Sequence, residues 1–565
     1  MKSKIINILV LTAVLSFFSS CEDFFEIPRP QETQWTTTAT YEQGLNTCYL
    51  SIQWRDMGRG VIQYWDDCVA GTLRKNTLGT SGSNGDEWYY RKFDDVIGQL
   101  PGLWQWSYRV ITMANLAIDL DINGNGNAFN LDVTGVDYRY NYLRQVAENY
   151  FVRAYSYYIL MKVYAAPYVH NGDNSVVTIP FKTTAAYSKD DILNEKRGTR
   201  EEIYQQIIKD LQFAKDNLPD KFTLNSWNNV PGYEAGRANK WVACAMLGKV
   251  YFLMGRYSDA MREFNDLINY AESTGTYSLA EAPKEAFNKA RAQDFPKESI
   301  WEFNGGNLQG AYEQRNNYWY NGMCIGYRFR DSQGDELLNT AEANKGVNKS
   351  TWNALSIAYS ALKDMGWMVD PMNGDYTVTR EALADMRWVQ LYPILKPMPE
   401  GTPNNTITKG SPGYLEYESF PGHAHLTTPH VYIDKYFRGE EPYGRHSKFP
   451  LIKLADIYLL RGWLNWKNGS SQAAANDLNK VWNRSNPSNP DKHTAANVTH
   501  ASIWAEYMRE MIGEGWTADF IKGTQMNAPR GDEPALIPPL NPPYSEWKKP
   551  IPTTETGLNP NYQYD

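Results

Sequence analysis

Cysteine and histidine are scarce, with five Cys and seven His in 565 residues. There is no C-x-x-C, and Cys48, Cys68, Cys244 and Cys324 follow no regular spacing, so no disulfide framework is legible. Cys48 with Cys68 is the one local pair that an exported chain could bridge, and buried free thiols are the expected state. His423, His425 and His430 form the only histidine cluster. No carboxylate or thiol sits beside them to complete a ligand set, so no metal or other cofactor is expected. Catalytic signatures are missing too: no G-x-S-x-G, no H-E-x-x-H and no phosphate-binding loop. Asp66-Asp67, Asp94-Asp95 and Asp190-Asp191 are adjacent pairs whose side chains point apart, whereas a glycosidase needs carboxylates about 5–9 Å from each other. The net charge of −8, without basic clusters, argues against nucleic acid. Beyond the first twenty residues no run is long and apolar enough to cross a bilayer.

The N-terminal segment has what the rest lacks. Lys2 and Lys4 precede an apolar run from Ile5 to Phe18, and Ser19-Ser20 lead into Cys21. The run is too short to span a membrane and has the flanks of a signal peptide. Small residues before a cysteine resemble a bacterial lipobox, with Phe18 where leucine is usual. Residues 1–20 are therefore expected to be a lipoprotein signal peptide and Cys21 the lipidation site. Each buried CH₂ of an acyl chain contributes about 0.8 kcal/mol, so several chains tether a protein stably.

Aromatic residues are abundant, with 19 Trp and 39 Tyr, more than core packing demands. A surplus of this kind suits a surface that stacks on ligands. The clearest periodicity is helical. Leu143, Ala147, Tyr150, Phe151, Ala154, Tyr158, Met161 and Ala165 make a stripe that ends before Pro167. Thr199 and Glu202 form a capping box opening a second helix, whose buried face is Ile203, Ile207, Leu211, Ala214 and Leu218. Leu247, Gly248, Tyr251, Gly255, Tyr257, Ala260 and Phe264 fall where tetratricopeptide repeats place their signature. Gly462, Gly469, Ala474 and Leu478 repeat the offsets of Gly248, Gly255, Ala260 and Phe264. One repeat cannot bury its own apolar face, so the helices near 143–165 and 200–218 should stack beside these pairs. The predicted fold is mainly α: a tetratricopeptide-like helical scaffold with a loop-rich, irregular ligand-binding region. That region is drawn from residues 56–108, 305–350 and 396–450, rich in Gly, Asn, Tyr, Trp and Pro. The stretch from Pro529 to Asp565 should run extended against the scaffold.

In this order the motifs resemble the SusD/RagB family of nutrient-binding outer-membrane lipoproteins of Bacteroidota. Glu22 and Asp23 after Cys21 resemble its surface-export signal. AENYFVRAYSYYILMKVYAAPYV and REEIYQQIIKDLQFAKDNLP are similar to its first two repeat helices. The run from Pro296 to Trp301 resembles the strand before its variable region, and KKPIPTTETGLNPNYQ its C-terminal tail. Near the C-terminus the family shows E-R-x-x-E-L-x-x-E-G-x-R. Glu506, Glu510, Glu514 and Gly515 are kept here, while Tyr507 and Thr517 replace the arginines, which should loosen an ion-pair network.

The resemblance implies a non-enzymatic receptor, a lid on a TonB-dependent, SusC-like channel, capturing a glycan at the outer membrane surface. A peptide ligand is the alternative within the family, and a surface glycoside hydrolase the alternative from another class. It implies residues 1–20 as signal, 21–275 as an N-terminal SusD-like part and 276–565 as a C-terminal RagB/SusD part. Trp65, Asp67, Trp88, Tyr89, Tyr90 and Arg91 in an early loop, with Trp319, Tyr320 and Tyr327 in a later one, are the expected ligand contacts. Flat rings would meet sugar C–H faces, and Asp67 and Arg91 would meet hydroxyl groups.

Overall fold

A computed structural model describes residues 38–52, 61–75, 85–93, 100–120, 143–186, 188–221, 236–287, 297–303, 355–391, 431, 433, 435 and 449–562. The principal helices are α1 Thr38–Ile52, α2 Val61–Ala70, α3 Gly85–Tyr89, α4 Pro101–Leu120, α5 Arg144–Tyr164 and α6 Arg200–Asn217. They continue with α7 Lys240–Leu253, α8 Tyr257–Thr274, α9 Leu454–Lys467, α10 Ser471–Ser485, α11 His500–Met511 and α12 Thr517–Thr524. The strands are β1 Leu73–Lys75, β2 Val177–Pro180, β3 Arg197–Thr199, β4 Ser299–Phe303, β5 Leu355–Ile357, β6 Met368–Asp370, β7 Asp375–Val378 and β8 Phe449–Lys453. They pair as antiparallel two-stranded ladders, β1 with β5, β2 with β3, β4 with β8 and β6 with β7.

From α4 to α10 each principal helix packs on the next, and α11 closes on α9 and α10. Because α8 packs on α9, the array runs across residue 275 without a break. The capping box forms as read: Glu202 N–H donates to Thr199 Oγ1 at 3.2 Å, and Thr199 N–H to Glu202 Oε2 at 2.8 Å. Helix α5 departs from its predicted stripe. It is buried almost all round, with Arg144, Gln145, Glu148, Asn149, Arg153 and Lys162 inside. The polar residues are held by partners, as burial requires; Arg153 grips Asp210 with two bonds of 2.8 Å. Residues 56–108 also depart from the irregular reading, since α2, α3 and the start of α4 form there. In α4 the buried residues Leu103, Trp104, Ser107, Val110, Ile111 and Ala114 keep helical spacing. The Gly- and Tyr-rich composition around them obscured that period.

The two repeats match in packing as well as in spacing. A Cβ on Gly248 would lie 2.4 Å from Phe264 Cε1, and one on Gly462 would lie 2.6 Å from Leu478 Cδ1. The same glycine thus meets the same repeat position in both hairpins. Gly255 and Gly469 turn each hairpin at φ of +73° and +79°, in the left-handed region where a side chain is strained. Cys48, Cys68 and Cys244 are buried free thiols. The tail from 529 onward lies on the scaffold: Trp547 is buried, and Lys549 N–H donates to Val163 O at 2.7 Å.

The expected loosening near the C-terminus is not found. Arg387 and Arg509 hold Glu506 at 2.8 and 2.9 Å. Lys453 and Arg484 hold Glu510, both at 2.8 Å. Lys435 and Lys453 hold Glu514 at 2.8 and 2.9 Å. Arg387, Lys435, Lys453 and Arg484 from other parts of the chain, with Arg509 on the same helix, therefore supply the charge. The two positions without arginine carry hydroxyls that donate to buried carboxylates. Tyr507 Oη donates to Asp456 Oδ1 at 3.0 Å, and Thr517 Oγ1 donates to Asp67.

The close approach at Gly248 can be tested. Gly248→Ala should lower the unfolding free energy by about 1–3 kcal/mol, because the Phe264 ring must move. Gly462→Ala should cost less, since the end methyl of Leu478 can turn aside. Urea midpoints check this; a Gly248→Ala midpoint equal to wild type would remove the close-packing argument.

Candidate functional site

The short ladders decide where the irregular segments start and end. In β1·β5, Lys75 stands opposite Leu355, so the residue before 76–84 faces the residue after 304–354. In β4·β8, Phe303 stands opposite Phe449, which joins the start of 304–354 to the end of 436–448. Ile357 N–H donates to Val431 O at 2.8 Å, bringing a third piece of chain to the same place. Paired strands lie about 4.8 Å apart. Segments far apart in sequence are thus stapled together at their described ends. Trp319, Tyr320 and Tyr327 lie outside the described residues, as do Cys21, Cys324 and the histidines at 423, 425 and 430.

The early residues are described, and most are not surface groups. Trp65 and Asp67 on α2 are fully buried, and Trp88 and Tyr89 on α3 and Arg91 after it are nearly so. The ligand-contact expectation for these five is corrected. Aromatic side chains gain most when their 150–250 Å² leave water, and here the scaffold supplies the cover. Asp67 Oδ2 accepts from Gly513 N–H at 2.9 Å and Gly515 N–H at 3.4 Å. Its neighbour Asp66 accepts from Ala518 N–H at 3.0 Å and pairs with Lys162 at 2.6 Å. Together these carboxylates hold the start of α12 and the loop before it. Burial raises both above the usual carboxylate range, Asp66 to about 6 and Asp67, with Asp66 beside it, to about 7. Tyr89 Oη accepts from Asp532 N–H at 3.0 Å. Only Tyr90 is half-buried, its hydroxyl donating to Glu533 Oε2 at 2.9 Å.

Arg91 shows why this turn is built as it is. Lys92 N–H donates to Glu87 O at 2.8 Å and Arg91 N–H to Trp88 O at 3.2 Å, the pair of bonds that closes a helix with a left-handed residue. Glycine usually takes that place, but here Arg91 sits at φ 55°, at a cost of roughly 1–2 kcal/mol. Its guanidinium donates to Val69 O at 2.9 Å, to Pro538 O at 2.6 Å and to Pro529 O. One side chain thereby joins α2, the α3 turn and the C-terminal tail. Between turn and tail opens a groove of about 520 Å³, lined by Arg91, Phe93, Pro538, Pro539, Leu540 and Lys548 among others. Beside the β1·β5 ladder, Arg74 stacks 3.7 Å above the Tyr359 ring and donates to Ser356 Oγ at 3.1 Å. Sequence reasoning singled out neither the tail groove nor Arg74; a proline-rich tail bearing Lys548 was the available signal. Among the described residues no group of three His, Cys, Asp or Glu side chains could hold a metal ion.

With that geometry in hand, the resemblance read in the sequence holds. Residues 64–252 match a SusD-like family described as "Starch-binding associating with outer membrane". A SusD-like protein P2 of Formosa agariphila is 27% identical over 271 residues, 46% of this chain and 45% of that protein. The match thus spans less than half the length of that relative. A SusD superfamily protein from Bacteroides thetaiotaomicron superposes with a TM-score of 0.67 at 19% identity, covering 93% of this chain and 99% of that one. A laminarin-binding SusD-like protein gives 0.60 at 18% identity, covering 92% and 97%. At these identities the structural likeness speaks for the fold, which is the tetratricopeptide-like helical fold of SusD structures.

Two outcomes follow for the early residues. Trp88→Ala should cost about 3–5 kcal/mol of stability as a core truncation, read by urea unfolding; an unchanged midpoint would return Trp88 to the surface. For Asp67, a carboxyl raised in the folded state adds stability that is full below its unfolded value near 4 and is lost as pH rises through about 7. The melting temperature of wild type should therefore fall more between pH 5 and 8 than that of Asp67→Asn, a difference from which the histidines cancel. Parallel profiles would contradict the shift.

Proposed function

We propose that this chain is a surface-exposed outer-membrane lipoprotein, anchored through Cys21, that captures an oligosaccharide and delivers it to a TonB-dependent, SusC-like transporter. The observation that carries the reading is the convergence of the segment ends. The β1·β5 ladder sets Lys75 opposite Leu355 and the β4·β8 ladder sets Phe303 opposite Phe449, so residues that flank segments distant in sequence are paired on the helical scaffold. A scaffold that holds separated segments at fixed ends suits a binding platform, because loops carry recognition while rigid elements position them. Chemistry by the buried pair Asp66-Asp67 is disfavoured, since these carboxylates are committed to backbone N–H groups, a threonine hydroxyl and Lys162. The glycan class is supported by the starch-binding description of the matching family and by the laminarin-binding structural neighbour.

The ligand contacts in this reading are Trp319, Tyr320 and Tyr327, together with half-buried Tyr90. Truncating a ring anchor typically costs at least about 2 kcal/mol, roughly thirtyfold in affinity. Calorimetry with laminarin and starch oligosaccharides should show binding to the wild type, and a loss of about that size in Trp319→Ala at unchanged melting temperature. Equal affinities would move the platform elsewhere. Release of reducing ends on incubation would overturn the receptor reading in favour of a hydrolase.

A further inference from the structure

A short piece of the C-terminal tail, Pro529 to Glu533, is where α2, the α3 turn and the β1·β5 ladder meet. A side chain on Gly71, just past α2, would strike Pro529 O, so turn and tail lie backbone to backbone there. Gly531 lies against the Tyr89 ring, and a Cβ on it would be 2.9 Å from Tyr89 Cε2. Asp532 N–H then donates to Tyr89 Oη at 3.0 Å. Its carboxylate reaches the other way: Oδ1 accepts from Ser360 N–H at 2.9 Å, and Oδ2 pairs with Arg74 at 3.5 Å. Arg74 in turn stacks on Tyr359, the residue before Ser360. One tail residue therefore ties α3 to β1 and to the chain just beyond β5.

Glu533 comes next and is fixed on both sides. Asp532 holds it from before. After it, Leu536 N–H and Ile537 N–H donate to Glu533 O at 2.9 and 3.1 Å, and Ile537 is buried. From this seat the Glu533 carboxylate accepts from Tyr90 Oη at 2.9 Å. Tyr89 and Tyr90 are neighbours at the end of α3, their ring centroids 5.1 Å apart at 64°. Asp532 thus secures one ring and Glu533 the other, and only the second is half-exposed. A half-exposed ring that is ordered only on binding subtracts its rotamer entropy from affinity, and a ring already held does not.

We infer that Glu533 is a positioning residue for ligand capture: seated by Asp532, it holds the Tyr90 ring through its hydroxyl in readiness for a sugar face. The C-terminal tail is then part of the binding apparatus and not only a cover for the scaffold. A contact held by a fixed supporting group is more precise than one left to its own rotamers. The inference rests on the glycan-binding reading above and adds to it a residue that touches no ligand itself.

Calorimetry on the full chain tests it, with laminarihexaose and maltohexaose as probes and whichever binds the wild type carried forward. Glu533→Ala and Tyr90→Phe should each weaken binding about three- to tenfold, the worth of one side-chain hydrogen bond, at unchanged melting temperature. Because the two act through one bond, the double variant should bind no more weakly than either single one. Glu533→Gln keeps an acceptor oxygen for the hydroxyl and should stay within about twofold of wild type. If Glu533→Ala does not fold, Tyr90→Phe and Glu533→Gln carry the test. Wild-type affinity in Glu533→Ala or Tyr90→Phe, or losses that multiply in the double variant, would overturn the inference and leave the glycan reading standing. A loss of affinity matched by a lowered melting temperature would also overturn it, because Glu533 would then serve stability alone. A wild type that binds neither saccharide would sink both readings together.

Discussion

The pairing of buried charge between the C-terminal helices and the rest of the chain is the constraint on which the architecture depends. Glu506, Glu510 and Glu514 are inaccessible to water, and each is met by cations from elsewhere: Arg387, Arg484, Lys435 and Lys453. A few residues further along the chain, Asp66 and Asp67 from α2 hold the start of α12, and Lys162 from α5 bridges Asp66 to Asp519. Lys249 on α7 pairs with Asp456 on α9, which also accepts from Tyr507. Removing one member of a buried pair typically costs about 3–5 kcal/mol, because the other is left charged without water or partner. Such a network tolerates no partial assembly. Every helix that contributes a charge must be in place before the others are satisfied.

That requirement has a consequence for the ligand-facing side. A repeat array held only by neighbour contacts can flex along its length, since each unit touches just the next. Here α2, α5, α7, α9, α11 and α12 are tied across the array by charge, not only along it by packing. The ladders β1·β5 and β4·β8 are therefore mounted on a stiff base. Two-stranded ladders are marginal in isolation. These persist because Leu73, Leu355, Ile357 and Ile452 are fully buried in the same core as the helices.

Much of the scaffold was legible. The capping box at Thr199 and the two glycine-matched hairpins express rules that operate within a few turns of chain, and both form as read; α5 forms as a helix but is buried almost all round, not along one stripe. Two things were not. The helices α2 and α4 sit among Gly-, Tyr- and Trp-rich stretches whose composition resembles a loop, although their buried residues keep helical spacing. The replacement of arginines by Tyr507 and Thr517 looked like a loss of charge pairing, yet both hydroxyls donate to carboxylates that arrive from other helices.

For the candidate site the division is sharper. The sequence by itself determined that the chain would build paired helices, keep its thiols buried and carry aromatic clusters in an early and a late segment. It could not say which rings face outward, because Trp and Tyr have the same composition in a core as on a platform. Only the tertiary structure decided that Trp65, Trp88 and Tyr89 are core while Tyr90 stays half-exposed, since burial is set by whatever packs on top. It also decided that the Arg91 guanidinium would meet three main-chain carbonyls, a matter of where residues 529 and 538 return some 440 positions later. Local rules reach a few residues along the chain. A partner some 440 positions away is a property of space.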